Sequence, residues 1–362
     1  MTSHRNAEHM REALALARRS RPSPNPRVGA VVVQEEEIVG VGYHERPGMP
    51  HAEIIALREA KERANGADLY VTLEPCCHVG RTGPCTDAIA KAGIRRVFVG
   101  MQDPDPRVNG NGLACLVAHG IEVHCNVEQQ LCEALLAGYS HHRRTGRPLV
   151  TLKAAVTLDG YLATGNRQSQ WISSEPSRTR THEMRAHNDA VLVGIETVLA
   201  DDPMLTVRLA TGESPMRVVL DSRLRIPTTS KLVQSAAQTP LLVAHTHEAP
   251  RERIALLCAL GVKLLACPSD EMGRLDLAIL LDELGRAGVL SLLVEGGATI
   301  HGALLRHGLA QCLALFVAPR VLGSGLPWAS FEGAQSIADA TALHEMTCQP
   351  VGCDLLIEGR FT

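Results

Sequence analysis

His51, Cys76 and Cys85 constrain this chain more than any other residues. They sit in His51-Ala52-Glu53, Glu74-Pro75-Cys76 and Pro84-Cys85, far enough apart that only folding brings them together. An imidazole and two thiolates suit the borderline softness of zinc. Three protein ligands leave the fourth tetrahedral position open, the pattern of a catalytic rather than a structural ion. Glu53 lies two residues beyond the histidine. It is close enough to serve a water held on the metal, and such an ion lowers the pKa of water from about 15.7 to about 7.

Each part alone is weak. H-x-E arises by chance in long chains, and cysteines are commonly buried as small hydrophobes. Pro50 and Pro75 precede His51 and Cys76 and mark places where helices are expected to begin. A helix N-terminus favours a thiolate. H-x-E followed by P-C and a second cysteine is the signature of zinc deaminases, although their usual C-x-x-C spacing is here widened to eight intervening residues. Cys77 and His78 could supply a fourth ligand. Adjacent residues entering a helix point roughly 100° apart, so Cys77 is read as a packing residue rather than a ligand.

At 362 residues the chain is long enough for two domains. Its net charge of -3 supplies no global basic field to draw in nucleic acid. No apolar run is long enough for a membrane span, and the polar start, Met1 to Glu12, is unlike a signal peptide. The 11 cysteines are odd in number and scattered, which argues against a secreted disulfide framework and for a reducing cytoplasm.

In chain order, residues 6 to 19 read as an amphipathic helix. Val28 to Val33 and Ile38 to Tyr43 read as a hairpin. Ala52 to Ala64 is a helix carrying Glu53, and Leu69 to Leu73 a strand running into Glu74-Pro75-Cys76. Pro84 opens a helix ending near Gly93. Val97 to Val99 is a strand, 113 to 119 a helix and Ile121 to Val123 a strand. Strands alternating with helices after an opening hairpin imply a mixed sheet covered by helices. In such sheets ligands gather at strand ends and helix starts. The basic run His141 to Pro148 follows a helix near Glu128 to Tyr139 and reads as a junction. It divides the chain into 1–146 and 147–362.

Beyond the junction, Val150 to Ala155 begins a second α/β domain. Ser174 is expected to cap a helix. Strands are expected at 190–193, 217–220, 241–243, 262–265 and 291–294, and helices near 250–260, 275–287 and 299–306. Residues 313–318 and 354–358 read as late, antiparallel strands. Glu295-Gly296-Gly297-Ala298-Thr299 joins a strand to a helix, where backbone N–H groups can meet a phosphate. It is not the G-x-G-x-x-G fingerprint of a Rossmann site.

Together these motifs resemble the bifunctional riboflavin-biosynthesis deaminase/reductase family. In the first half the resemblance rests on Asn25-Pro26-Arg27-Val28-Gly29, His51-Ala52-Glu53, Thr72 to Cys76, Gly80 to Cys85 and Gln102-Asp103-Pro104. In the second it rests on Lys153, Thr157 to Gly160, Ser169 to Ile172, Ala200 to Arg208 and Glu295-Gly296-Gly297. The wide cysteine spacing is the family's own; Cys77 stands where the family commonly has serine.

The resemblance implies a cytidine-deaminase-like N-terminal domain, a mixed sheet with helices, and a dihydrofolate-reductase-like α/β C-terminal domain. It implies a catalytic Glu53, one zinc ion on His51, Cys76 and Cys85, and NADPH in the second domain. Cofactor contacts map to Ala155, Trp171, Thr197, Asp201, Ser222 and the turn Gly297, Ala298, Thr299, Ile300, His301, Gly302 and Ala303. Substrate contacts map to Ser169, Arg185, Leu205, Arg208 and Glu295. Arg185 and Arg208 suit a 5′-phosphate, and Lys153, Asp201 and Glu295 are the polar groups for the reduction. Asn25, His44, Arg81, Asp103 and Asn109 are further pocket candidates.

The substrate expected from the family is a phosphorylated pyrimidine, deaminated and then reduced at its ribosyl group. A cytoplasmic homodimer joined through the reductase domains is expected, with no nucleic-acid or membrane partner. A nucleic-acid base editor is the competing reading. It calls for a basic groove and the short cysteine spacing, and the chain has neither. A structural zinc module is the other, and Glu53→Gln separates it from catalysis.

Overall fold

The β-rich runs near the N-terminus form the expected hairpin. In this computed structural model, which describes residues 2–78, 83–270 and 272–361, β1 (Gly29–Gln34) pairs antiparallel with β2 (Glu37–Tyr43). The chain divides into two compact units, Met1–Gly146 and Arg147–Thr362.

The first unit has one sheet. β3 (Asp68–Leu73) joins β1 antiparallel, and β4 (Arg96–Met101) and β5 (Glu122–His124) continue in parallel, giving the order β2-β1-β3-β4-β5. Helices α1 (Thr2–Ala17), α2 (Ala52–Ala60), α3 (Cys85–Lys91), α4 (Asn111–Ala118), α5 (Gln129–Leu135) and α6 (Ala137–Thr145) complete it. β3 is buried along its whole length, as a central strand covered on both faces must be. Gly42 has a local reason: a Cβ there would stand 2.2 Å from Ala52 O. Its absence lets the first turn of α2, and His51 before it, lie directly on β2.

In the second unit β6 (Leu149–Thr157), β8 (Ala190–Gly194), β9 (Met216–Leu220), β10 (Leu241–His245), β11 (Lys263–Ala266), β12 (Ser291–Val294) and β13 (Cys312–Ala318) run parallel. β16 (Asp354–Phe361) and β15 (Leu343–Val351) add an antiparallel edge. The order is β11-β10-β9-β8-β12-β6-β13-β16-β15, with a small separate pair of β7 (Tyr161–Ala163) and β14 (Leu326–Pro327). α7 (Glu175–His187), α8 (Ile195–Asp201), α9 (Lys231–Gln234), α10 (Arg251–Ala259), α11 (Leu277–Arg286) and α12 (Ala298–Arg306) connect the strands. β8 leads through α8 to one side of the sheet, and its neighbour β12 leads through α12 to the other. Ligands of open α/β sheets bind at such a switch point, outside the carboxyl ends of the strands.

Three local expectations change. The basic run taken as a junction is helical through Thr145, and α6 stops at Gly146, whose φ of 76° serves a left-handed C-cap. Cys76 lies in a loop after β3 rather than at a helix start; the helix begins at Cys85, with Pro84 as its N-cap. Ser174 is the N-cap residue of α7 but makes no side-chain cap. Instead the buried carboxylate of Asp354 accepts from Ser174 N (2.7 Å), Ser174 Oγ (2.8 Å) and Ser177 Oγ (2.6 Å). An aspartate from the edge hairpin thus caps a helix distant in sequence. Asp354→Ala is expected to lower the stability of the second unit by about 1–3 kcal/mol through unsatisfied donors, measured as a shift of its urea midpoint.

Candidate active sites

In the first unit, His51 is the N-cap of α2 and Cys85 the first residue of α3; Cys76 is drawn to α3 by a bond from Thr86 N to Cys76 O (3.2 Å). Parallel pairing of β3 and β4 brings their C-terminal ends, and the loops after them, to one edge of the sheet. His51 Nδ1 lies 3.2 Å from Cys85 Sγ and 3.6 Å from Cys76 Sγ. The three donor atoms lie within 4.8 Å of one another. Zn–N and Zn–S bonds of about 2.0 and 2.3 Å at tetrahedral angles require N···S edges of about 3.5 Å. The geometry therefore fits a zinc ion. Cys77 and His78 are not in this cluster, although His78 lines the adjoining cavity.

Glu53, on the first turn of α2, is buried beside the cluster, and its carboxyl touches the Cys85 thiol. Burial, reinforced by Cys76, raises its pKa. Of the two thiols Cys76 is the more acidic: a hydrogen bond from Cys85 and then His51 favour its thiolate. That bond and burial hold Cys85 up.

Asn25, His44 and Asp103 line the same cavity with His51, Glu53 and Cys76. Asn25 Nδ2 is 2.9 Å from His44 Nε2, and His44 Nδ1 is 3.1 Å from Pro50 O. Asn109 is exposed and does not line the cavity. Its backbone N–H donates to Asp105 O (3.0 Å), so it acts as part of a turn. Arg81 lies outside the described residues.

Sequence reasoning missed Glu74, Asp105, Arg107, Tyr139 and Arg143, all of which line the cavity. Glu74 accepts from the amides of Asp103 (3.1 Å), Gly110 (2.9 Å), Gly112 (2.9 Å) and Leu113 (3.3 Å), so one carboxylate organises the whole loop. Tyr139 donates to Asp103 Oδ1 (3.1 Å). Arg107 grips Asp105 through Nε (2.9 Å) and Nη2 (2.6 Å). Glu74 stood inside a quoted motif, but its partners come from 29 to 39 positions away, and no local pattern shows that.

The Arg107 bonds depress the Asp105 carboxyl to about 2 from 3.8. A depressed carboxyl stabilises fully above its unfolded value, and that contribution is lost as pH falls through about 2. Asp105→Asn is expected to be the less stable protein at pH 7. In urea unfolding of the metal-free proteins the difference should close between pH 4 and 2.

In the second unit some of the mapped residues lie along the carboxyl edge of the parallel strands. Ala155 is near the end of β6, Thr197 and Asp201 are on α8, Ser222 follows β9, and Gly297 is the N-cap of α12 after β12. A Cβ on Gly194 would stand 2.8 Å from Ile300 Cδ1, so the turns starting α8 and α12 touch. A Cβ on Gly297 would meet nothing within 4 Å, so the space beside the α12 N-cap is open. Trp171 is exposed, with Arg178 stacked 4.6 Å from its ring. Ser169 is half-buried.

Other mapped residues face elsewhere. His301 is fully buried, with Nδ1 2.9 Å from Trp328 O and Nε2 3.3 Å from Val294 O. Gly302 abuts the Ser330 backbone. Both are packing residues of α12. The Leu205 side chain is in the core, and its backbone stands at φ 55°. Arg185 does not offer its fork to a phosphate. Its Nε and Nη2 grip Glu295 (2.6 and 2.8 Å) and Nη1 donates to Thr206 O (3.2 Å). Lys153 is on β6, beside the strand that leads into Glu295, with Nζ 5.5 Å from the Phe316 ring; burial lowers its pKa and Glu295 opposes that. Asp201 is instead exposed, 3.4 Å from Gln170 Nε2.

Residues 3–101 match the cytidine and deoxycytidylate deaminase zinc-binding region, and 148–357 match the RibD C-terminal domain. The riboflavin biosynthesis protein RibD of Actinobacillus pleuropneumoniae is 40% identical over 97% of this chain and 94% of its own length. That of Escherichia coli is 41% identical over 96% and 97%.

The chain belongs to the RibD family.

Among solved structures, RibD of Acinetobacter baumannii superposes with a TM-score of 0.87 at 35% identity, covering 99% of both chains. A Thermotoga maritima diaminohydroxyphosphoribosylaminopyrimidine deaminase/5-amino-6-(5-phosphoribosylamino)uracil reductase does so at 0.87 and 34% identity, covering 100% of both. As a RibD-family member the chain is a bifunctional deaminase and reductase of riboflavin biosynthesis that uses zinc and NADPH. Its folds are the expected ones, a deaminase-like N-terminal and a reductase-like C-terminal α/β domain. Among the described residues no helix is long and apolar enough to cross a membrane.

Proposed function

We propose that residues 1–146 deaminate 2,5-diamino-6-(5-phosphoribosylamino)pyrimidin-4(3H)-one, and that residues 147–362 reduce the ribosyl group of the resulting 5-amino-6-(5-phosphoribosylamino)uracil to ribityl. The observation that carries this is the meeting of His51, Cys76 and Cys85 with buried Glu53 in one cavity. His51, Cys76 and Cys85 are the residues that would hold zinc, which supplies a Lewis acid that makes water a nucleophile at neutral pH. Glu53 takes the proton of the attacking water and passes it to the ring nitrogen, then to the departing ammonia. Its burial raises its pKa, which suits a carboxyl that must both accept and return a proton. Asn25, His44 and Asp103 orient the pyrimidine from the cavity wall.

In the second unit, the α12 N-terminus, with Ala155, Thr197, Asp201 and Ser222 along the strand edge, would hold NADPH, which supplies hydride for the ribose C1′. Lys153 and Glu295 lie together and can move the proton that opening the sugar ring requires. Arg185 holds Glu295 in place, and Arg208 is the guanidinium left to take the 5′-phosphate. A homodimer through the reductase unit is supported by the outer edge of its sheet. β15 is exposed along almost its whole length, and Ile337, a few residues before it in the chain, is 95% exposed. Chelating zinc is expected to abolish ammonia release while NADPH oxidation on supplied deaminated substrate continues. Loss of both, or of neither, would contradict the division.

A further inference from the structure

Two residues of α7, one turn apart, reach the same loop. His182 Nδ1 accepts the backbone N–H of Arg208 (2.9 Å), and Arg185 Nη1 donates to Thr206 O (3.2 Å). Val207 N donates to Ser214 Oγ (3.0 Å), and Arg208 Nη1 donates to Thr206 Oγ1 (2.7 Å). From elsewhere, the buried Arg217 donates through Nη1 to Met204 O (3.4 Å). The segment from Met204 to Arg208 is thus held bond by bond, and His182 holds the residue whose side chain is most exposed. An imidazole accepting at Nδ1 carries its proton on Nε2.

We propose that His182 is a positioning residue of the reductase: its Nδ1 lone pair fixes the backbone of Arg208 and so aims that guanidinium at the substrate phosphate. This rests on Arg208 being the phosphate ligand. His182 is buried and faces Arg185 on its own helix, Arg208 on the loop, Lys153 on β6 and Glu295 after β12. Burial first, then Arg185 and Arg208, push its imidazole down to about 4. It therefore remains an acceptor at neutral pH.

The test compares His182→Leu, His182→Asn and Arg208→Gln. NADPH oxidation is followed with 5-amino-6-(ribosylamino)uracil carrying or lacking its 5′-phosphate, and NADPH binding by fluorescence reports an intact second unit. Asn Oδ1 occupies the place of His Nδ1. With the phosphorylated substrate, His182→Leu should raise KM on the order of 10- to 100-fold, the scale of one lost buried hydrogen bond, with kcat little changed. The unphosphorylated substrate should be unaffected, and His182→Asn should stay within about 3-fold of the native enzyme, on the same scale.

Equal losses on both substrates, equal losses in Leu and Asn variants, or no loss would overturn the proposal. If Arg208→Gln keeps the preference for phosphate, the phosphate reading itself fails; if it loses that preference and His182→Leu does not, only the role of His182 fails. Should His182→Leu not bind NADPH, His182→Gln, whose acceptor sits one bond further out, replaces it. Gln impaired and Asn intact would sustain the proposal, and both intact would end it.

Discussion

Glu53→Gln is expected to lower ammonia release by about 10²- to 10⁴-fold, the range of a lost general acid–base group. Gln keeps the size and hydrogen-bonding reach of the side chain but cannot take a proton. It is not among the three clustered donors, so zinc content should stay at one ion per chain. Reduction of supplied deaminated substrate should also persist. Loss of zinc together with loss of ammonia release would mean that Glu53 maintains the cluster rather than moves protons. Undiminished ammonia release would remove Glu53 from the chemistry and leave a scaffolding role for the metal.

The second large effect is expected at the Arg185–Glu295 pair. Both side chains are buried, with about one-tenth of each exposed, and they meet through two bonds of 2.6 and 2.8 Å. Removing one partner leaves the other charge buried and alone, which typically costs about 3–5 kcal/mol. Arg185→Met should therefore destabilise the second unit by that order and stop reduction, because Glu295 and the Thr206 carbonyl lose the same anchor. Arg185→Met/Glu295→Gln should be more stable than the sum of the single changes predicts, since neither partner is left charged. Ammonia release by the first unit should change little. Additive single and double effects in urea unfolding would show that the pair is not coupled.

Much of this was legible in the sequence, for identifiable reasons. The opening hairpin and the parallel strands carry dense β-branched and leucine runs, so 29–34, 190–194 and 291–294 emerge close to their observed limits. β15 did not emerge. It reads Leu-His-Glu-Met-Thr-Cys-Gln-Pro-Val, is exposed on both faces and holds Pro350, which an edge strand tolerates. The zinc-type donors were legible because their chemistry is rare and their motifs short. The pairing of Arg185 with Glu295 was not legible, because the two lie 110 residues apart. Nor could local sequence show that Asp354 caps a helix 180 positions earlier. His301 shows the converse: a residue inside a family turn can face inward, and only its two carbonyl partners reveal it.

The central claim is that a three-donor zinc site removes the exocyclic amine before a second unit reduces the sugar. Mass spectrometry of the product from the diaminopyrimidine phosphate, with and without NADPH and at confirmed zinc stoichiometry, tests this most directly. Without NADPH the mass should rise by about 1 Da as an amine becomes a carbonyl, with the ribosyl group intact; with NADPH it should rise by about 2 Da more as hydride and a proton are added. An unchanged mass without NADPH, or the same product in both reactions, would contradict it.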